Sequence, residues 1–231
     1  MSLPITTSAD YVGKVNISTN SFSSLDSYIS EIEPQIILEV LNPDCLYEIE
    51  TDVSLKSKYT DLIAGGYYTN SDGDRVKFRG LKDFIKYYVY SYYNTDSFNN
   101  SIIGNVKNIS ENSTYSGSVN SQIVYDRWNK AVEIYEADIT TFLNEYQEIK
   151  QTITNSTDNT GTYTLEIPST KYVYAGDTIY IGGVEYTIFS LVDNTSIDII
   201  EASSGLDFTG LEVSWKPFFE LEYYKYDFAW L

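Results

Sequence analysis

Apolar residues recur every three or four positions through most of the first 150 residues, which predicts amphipathic helices. One helix is predicted from residue 27 to 41, with Pro34 at a start or a kink, and another from 54 to 64, ending at Gly65–Gly66. Between them, Asn42–Pro43 is typical of an N-cap followed by a first helical turn. The pattern therefore predicts three helices in this region.

A helix predicted over residues 80–93 is apolar on two faces. Besides a regular apolar stripe, it carries Tyr87, Tyr90 and Tyr93 at a spacing of three. A helix that is apolar on two faces is packed on two sides. We therefore expect these tyrosines to pack within and between subunits.

The longest helical pattern runs from residue 119 to 149 and predicts a helix about 45 Å long, at 1.5 Å per residue. The polar stretch before it, residues 94–118, is expected to be a long connection with a functional role or mobility. Turn residues within 67–78 predict a β-hairpin. Residues 1–22, rich in Ser, Thr and Asn, are expected to form an N-terminal arm.

The pattern changes to a period of two in the last third of the chain. After a polar linker predicted over residues 151–160, five short runs of β-forming residues lie between 161 and 215. Gly182–Gly183 predicts a hairpin between the second and third runs. Residues 216–231 are too aromatic for a free tail, and we expect them to dock on this subunit or a neighbour.

These elements define an α+β fold class. Residues 23–150 are expected to form a bundle of about four helices with one small hairpin. The C-terminal runs are expected to form a small antiparallel β-barrel or sandwich, because five short strands with tight turns suit either architecture.

Composition excludes several classes of chemistry. The 231 residues include no histidine and one cysteine, Cys45, so a Ser-His-Asp or Cys-His catalyst is excluded and a zinc site is disfavoured. With 33 acids against 15 bases, the net charge of −18 argues against a DNA-binding face. No apolar run reaches the roughly 20 residues of a membrane span, and the N-terminus lacks a signal-peptide pattern. We expect a non-enzymatic protein without cofactor, metal or membrane partner, made in a cytoplasm.

The chain is rich in aromatic residues, with 23 tyrosines, 10 phenylalanines and 3 tryptophans. Tyrosine and tryptophan are enriched at interfaces, because a ring buries area at low entropic cost while its polar tip finds a partner. The excess indicates contact between subunits, with biased codon usage as the alternative interpretation.

Five of the fifteen bases fall within twelve residues. They are Arg75, Lys77, Arg79, Lys82 and Lys86. One interpretation is a positive patch that docks onto an acidic protein surface, and another is that these bases neutralise acids of the same chain. Contact with nucleic acid is a third.

Two other chemistries find little support in the spacing of the acidic residues. Asn70, Asp72 and Asp74 alternate like the first ligands of a calcium loop, but Leu81 occupies the position of the bidentate glutamate. The pattern favours a plain hairpin turn. Pairs of carboxylates that could hydrolyse glycosides arise by chance among so many acids.

Several stretches of the first 150 residues resemble a known family. They are LYEIETD, SKYTDLIAGGYY, FRGLKDFIKYYVYSYY, a small-residue stretch reaching ENSTYS, and YDRWNKAVEIYEADITTFLNEY. Together they resemble the head-tail connector (neck or adaptor) proteins of tailed bacteriophages, in particular the ring-forming neck proteins of the crAss-like group. The similarity covers residues 30–150, and its most specific motifs are Leu81–Asp83 and Glu111–Ser113. The β half has no such likeness.

The resemblance implies a structural virion protein at the head-tail junction, assembled in the host cytoplasm. Such proteins form a homo-oligomeric ring, commonly twelvefold, beneath the portal protein; the ring extends the channel for double-stranded DNA without binding it specifically and carries further neck or tail proteins. An acidic wall suits this role, since it repels phosphate. The expected interface residues are the five bases above with Tyr87, Tyr90, Tyr93, Trp128, Phe218, Phe219, Tyr223 and Trp230.

The alternative interpretation is a carbohydrate-binding or receptor-binding module. A β domain rich in Tyr and Trp could stack sugars on exposed rings. This hypothesis predicts a groove lined by Trp215 or Tyr223 on a monomer.

Overall fold

The computed structural model describes residues 4–17, 22–41, 43–51, 57–104, 117–201, 203 and 205–218. Two compact units are present. Unit 1 contains the described residues of Met1–Leu55 and Tyr59–Phe142, and unit 2 those of Lys56–Lys58 and Leu143–Glu220. Across the described residues, five helices, a small two-stranded sheet and a curled antiparallel sheet occur. The predicted mixture of helices and antiparallel strands is therefore confirmed.

Unit 1 contains the two-stranded sheet and the helices, except residues 57–58 and 143–145, which belong to unit 2. Their bounds are α1 Phe22–Val40, α2 Pro43–Thr51, α3 Ser57–Ala64, β1 Gly66–Thr69, β2 Arg75–Phe78, α4 Gly80–Gly104, and α5, which consists of Gly117–Glu133, the π-helical Ile134–Ile139 and Thr140–Glu145. Helix α3 ends at Gly65, whose positive φ of 69° suits a C-cap. The predicted helices and hairpin of this half are thus present, with shifted ends.

The predicted ends of α4 and α5 are among those that differ from the structure. Helix α4 continues to Gly104, so residues 94–104 are helical and do not belong to the predicted connection, whose remainder, 105–116, lies outside the described residues. Helix α5 ends at Glu145, four residues before the predicted end. It contains a π-helical turn in which Thr140 donates its backbone N–H to the carbonyl of Tyr135, a feature without a sequence signature.

The described part of the predicted N-terminal arm packs onto unit 1. In residues 4–17 the side chains of Ile5, Tyr11, Val15 and Ile17 are buried. Two short 3₁₀ turns, Ser8–Asp10 and Gly13–Val15, shape the segment. Besides these apolar side chains, the backbone N–H groups of Ile5 and Thr6 donate to Glu33 and that of Ser8 donates to Asp26. This stretch is therefore not a free extension.

Unit 2 is an antiparallel sheet that curls on itself. Its strands are β3 Ile149–Thr152, β4 Asn155–Asp158, β5 Thr162–Glu166, β6 Thr178–Ile181, β7 Val184–Asp193, β8 Ser196–Ile200 and β9 Glu212–Trp215, in the order β3-β9-β6-β7-β8-β5-β4. The five predicted runs correspond to β5–β9. Ile181 pairs with Val184 across Gly182–Gly183, which confirms that predicted hairpin.

Residues 149–158 supply both outer strands of this sheet. Strand β3 pairs with β9, and β4 pairs with β5. Between them Ile153 is buried, and its backbone donates to the carbonyl of Leu211 and accepts from Gly210, at 3.0 and 2.8 Å. The predicted linker over 151–160 is instead mostly strand. Its side chains are polar and show no apolar alternation, so the sequence did not predict strands here. The strands form because their backbone pairs with β9 and β5.

The core of unit 2 consists of the inward side chains of these strands. Their alternation is visible in β5 and β6, where Tyr163, Leu165, Ile179 and Ile181 are buried. The indole of Trp215 on β9 lies in the same core and is 2% exposed.

Candidate functional site

The β1–β2 hairpin presents one apolar and one polar face. Tyr68 and Phe78 point into unit 1, where both rings lie against Phe142, at 5.3 and 4.3 Å between centroids. Because side chains alternate along a strand, the neighbouring Tyr67 and Lys77, which are paired in register, face solvent. The hairpin therefore buries one face in the unit and exposes the other.

The exposed face combines one aromatic ring with two cations. Tyr67 is 60% exposed. The guanidinium carbon of Arg75 lies 4.6 Å from the ring centroid and the Nζ of Lys77 lies 5.8 Å from it. We call Tyr67, Arg75 and Lys77 the hairpin surface. Cation–π contacts of this kind contribute about 0.5–1 kcal/mol at exposed sites, enough to bias the side chains toward one arrangement.

Neither cation of the hairpin surface has an ion pair within the described part of the chain, although the protein carries a net charge of −18. The turn that joins the strands is closed internally: Asn70 Oδ1 accepts the backbone N–H of Asp74 at 2.7 Å. Its geometry is that of a hairpin turn. Within the described residues, no group of three or more His, Cys, Asp or Glu side chains is arranged to hold a metal ion.

The remaining three bases of the predicted cluster pair with acids of unit 1. Arg79 contacts Asp138 through Nε at 2.5 Å and Nη2 at 3.0 Å, and it reaches Glu133 at 3.1 Å. Lys82 pairs with Asp10 at 2.8 Å, and Lys86 pairs with Asp83 at 2.6 Å. Each of the first two interpretations of the basic cluster therefore applies to some of its residues. Arg79, Lys82 and Lys86 neutralise acids of the same chain, and Arg75 and Lys77 remain available.

The Arg79–Asp138 contact attaches the end of the hairpin to the π-helical turn of α5. Burial of Asp138 opposes its ionisation, but the hydrogen bonds and the charge of Arg79 outweigh burial and lower the pKa of Asp138 below its ordinary value. Asp138 also accepts the backbone N–H of Arg79 at 3.0 Å. This carboxylate therefore fixes both the backbone and the side chain of the residue that follows β2.

Two glycines bring the two ends of the hairpin together. Gly65 precedes β1 and Gly80 follows Arg79, and both have positive φ, 69° and 78°. A Cβ on either residue would overlap the backbone of the opposite segment. Only glycine permits this approach. The hairpin surface consequently projects from a tightly closed base.

The predicted interface tyrosines of α4 are half-buried. Tyr93 packs edge-on against Tyr28 of α1 at 5.4 Å, whereas Tyr87 and Tyr90 keep part of their surface. Trp128 of α5 is 6% exposed and lies 5.1 Å from Tyr88 of α4 between ring centroids. Within the subunit, Trp128 is therefore part of the core of unit 1.

Of the predicted C-terminal aromatic residues, Phe218 is the last residue that the structure describes. Phe218 is buried in unit 2, 6.3 Å from the ring of Tyr172. Phe219, Tyr223 and Trp230 lie outside the described residues.

Unit 2 has a second exposed feature, which the sequence did not predict. Strand β7 has a β-bulge: Ile188 faces Ile199 and Ser190 faces Asp198, so Phe189 is the extra residue. Phe189 follows the buried Ile188, so its ring points to the outer face of the strand, and it is 61% exposed. Ile188 and Phe189 are consecutive apolar residues in a strand, so one of the two must face outward. This is the sequence signal that indicates an exposed apolar side chain here.

Phe189 belongs to an open cleft of about 460 Å³. Its apolar lining includes Val184, Phe189 and Ile200, and its carboxylates are those of Glu185 and Glu201. Glu201 accepts the backbone N–H of Ser203 at 3.0 Å. We call Val184, Glu185, Phe189, Ile200 and Glu201 the acidic cleft.

The groove expected for sugar stacking is not formed by Trp215. With 2% of its surface exposed, its ring faces the core of unit 2 and is closed to a ligand. The other residue expected to line it, Tyr223, lies outside the described residues.

No helix in the described part of the chain is both long and apolar enough to cross a membrane. Comparison with protein-family models, with curated proteins and with solved structures finds no match to this chain.

Proposed function

We propose that this protein is a structural subunit of a phage neck, which assembles as a ring beneath the portal and joins head to tail. The resemblance of residues 30–150 to connector proteins suggests the role, and the surfaces of the two units support it. In this proposal the ring extends the DNA channel, and its acidic lining lets DNA pass because it repels phosphate.

The observation that carries the proposal is the hairpin surface. An exposed aromatic ring held between two cations is the composition of a protein-interface hot spot, in which Tyr and Arg are enriched. Its base is held rigidly by the Gly65–Gly80 approach and by the Arg79–Asp138 contact. A rigid exposed ring loses little entropy on binding. This surface therefore suits docking of a subunit onto an acidic protein partner.

Unit 2 completes the proposal as a small β-barrel that contacts the next subunit or neck component. We base the barrel on residues 149–158, which pair with β9 on one side of Ile153 and with β5 on the other. In this proposal, contacts of unit 2 are made by side chains, such as those of the acidic cleft.

The proposal is tested by sedimentation velocity and negative-stain microscopy of the full chain, mixed with purified portal rings of the phage that encodes it. We expect the chain to sediment with the portal and to form a ring on it. A chain that remains monomeric with the portal at high concentration would overturn the proposal.

The variant Tyr67→Ser, Arg75→Gln, Lys77→Gln should sediment with the portal at least about tenfold more weakly, while its thermal midpoint stays close to the original. A matched control, Asn129→Asp with Gln147→Glu, changes the net charge by the same two units at exposed residues that are not part of the hairpin. If the control loses binding equally, general charge and not the hairpin surface is responsible.

The tyrosines of α4 give a second test of the same role. Replacement of Tyr87, Tyr90 and Tyr93 by serine should weaken assembly on the portal more than it weakens folding of the subunit. Unchanged ring formation by a folded triple variant would remove these tyrosines from the interface.

Carbohydrate or receptor binding is the second candidate function. Because Trp215 is buried, this function would require other, exposed rings. Tyr180 on β6 and Phe189 on β7 are exposed on unit 2 and could stack on a sugar. Retention of the monomeric chain on a polysaccharide column, lost in Tyr180→Ser with Phe189→Ser, would favour this candidate over the connector.

A further inference from the structure

The acidic cleft and the hairpin surface are chemically complementary. The hairpin surface offers one ring and two cations, and the cleft offers three apolar side chains with two carboxylates. Within the described residues, neither Arg75 nor Lys77 has an acidic partner, and Glu185 has no basic one. Each surface thus lacks what the other supplies.

The apolar part of the cleft suits an aromatic side chain. Phe189 and Ile200 are each 61% exposed, a large amount for side chains of this size in a soluble unit. Covering both with a ring removes apolar surface from water, at about 25 cal/mol per Å². The volume of about 460 Å³ lies in the range of sites that bury a small group.

We propose that the hairpin surface of one copy docks in the acidic cleft of a second copy of this chain. Tyr67 covers Phe189 and Ile200, and Arg75 and Lys77 lie opposite Glu185 and Glu201. This inference rests on the proposed function in one respect, because it names the interface by which the ring subunits join.

A second copy is the occupant that the charges favour. The chain has 15 bases against 33 acids, so a surface with two exposed bases is uncommon on it. Such a surface is attracted to a pair of acids on another copy of the same chain. Every copy carries one hairpin surface and one cleft. A contact between two different surfaces of identical chains propagates head to tail and closes into a ring when the rotation allows it.

Charge reversal tests the pairing in the full chain. Reversal of the hairpin (Arg75→Glu, Lys77→Glu) or of the cleft (Glu185→Lys, Glu201→Lys) should weaken self-association about tenfold or more, as followed by sedimentation equilibrium at low salt. The chain with all four reversals restores opposite charges at every interface and should recover most of the association. If it is as weak as either half, the proposal is wrong.

A cross-linking experiment detects the contact even where association is weak. Lys77→Cys and Glu185→Cys are made in separate chains, and Cys45 is buried and does not compete. Mild oxidation of the mixture should give mainly the hetero-cross-linked pair, and hairpin reversal by Arg75→Glu in the first chain should reduce it severalfold. Equal yields of hetero- and homo-pairs would overturn the proposal.

These experiments separate the interface from the neck function. Portal binding that is lost with the hairpin reversal but kept with the cleft reversal leaves the neck function standing and removes this interface. A charge-dependent cross-link in a chain that never binds the portal keeps the interface and removes the neck function.

Discussion

Glu33 of α1 holds Thr6 of the N-terminal segment by two atoms: the carboxylate accepts the backbone N–H at 3.1 Å and the hydroxyl at 2.9 Å. It also accepts the backbone N–H of Ile5. Glu33 is fully buried, so all three bonds are made away from water. This one carboxylate adds three buried hydrogen bonds to the contacts of the buried side chains of Ile5 and Tyr11.

Replacement of Glu33 by alanine should release residues 4–17 and destabilise unit 1. Two buried backbone donors lose their acceptor, at a cost of about 1–3 kcal/mol each. We expect lower urea stability and rapid amide exchange in residues 5–12. The control is Glu31→Ala, an exposed position on the same helix, which should leave both quantities nearly unchanged. Equal effects of the two substitutions would contradict the role of Glu33.

The same carboxyl gives a pH dependence of defined sign. Burial raises the pKa of Glu33 above its ordinary value of 4.5, although the hydrogen bonds from Ile5 and Thr6 oppose the shift. A raised folded pKa favours folding below the unfolded pKa, and this contribution is lost as the pH rises through the folded pKa. The stability advantage over Glu33→Gln should therefore shrink as the pH rises above about 4.5, as measured by urea unfolding. A growing advantage would show the opposite shift.

Asp138 should behave in the reverse sense. Its pKa is lowered in the folded protein, so its contribution is present above the unfolded pKa and is lost as the pH falls through the folded pKa. Asp138→Asn should cost about 1.5–3 kcal/mol at neutral pH, and the loss should disappear in acid. Chemical unfolding at two pH values measures both.

Glu133, the other acidic partner of Arg79, provides the control for Asp138. Glu133 also contacts Arg79, but half of its side chain is exposed, and Glu133→Gln should cost less than about 1 kcal/mol. If the two variants are equally destabilised, the contact of Arg79 with the π-helical turn does not depend on Asp138.

The crossing of Gly65 and Gly80 predicts a strong effect of one methyl group. Gly80→Ala requires a positive φ and places a Cβ against the backbone of Gly65, so the variant should lose about 3 kcal/mol or more. Gly73 in the hairpin turn also has a positive φ but open space around it. Gly73→Ala should lose only about 1–2 kcal/mol. Comparable thermal midpoints for the two variants would show that the close approach is relaxed in solution.

The parts of the fold predicted correctly are those in which apolar side chains alone fix the structure. The stripe of α4 and the alternation of β5 and β6 are local patterns, and each corresponds to buried residues such as Phe84, Leu165 and Ile179. The remaining parts are held by backbone bonds over long distances. Residues 4–8 depend on Glu33 and Asp26, and β3 and β4 depend on their partner strands.

The candidate site was predictable only in part, for a related reason. The cluster of bases from residue 75 to 86 was visible, but which of them stay available depended on Asp10 and Asp138, far away in the sequence. Phe189 lies at a bulge of β7, which is defined by pairing with β8 and has no local pattern in the sequence.

The two outer strands of unit 2 are adjacent in the chain, but their pairing partners lie at very different distances along it. The β4–β5 hairpin closes a loop of a few residues, whereas β3 must find β9 from the other end of the unit. Because closing a long loop costs more entropy, we expect the β3–β9 ladder to form last. Substitutions in that ladder should mainly accelerate unfolding, and substitutions in the hairpin should mainly slow refolding.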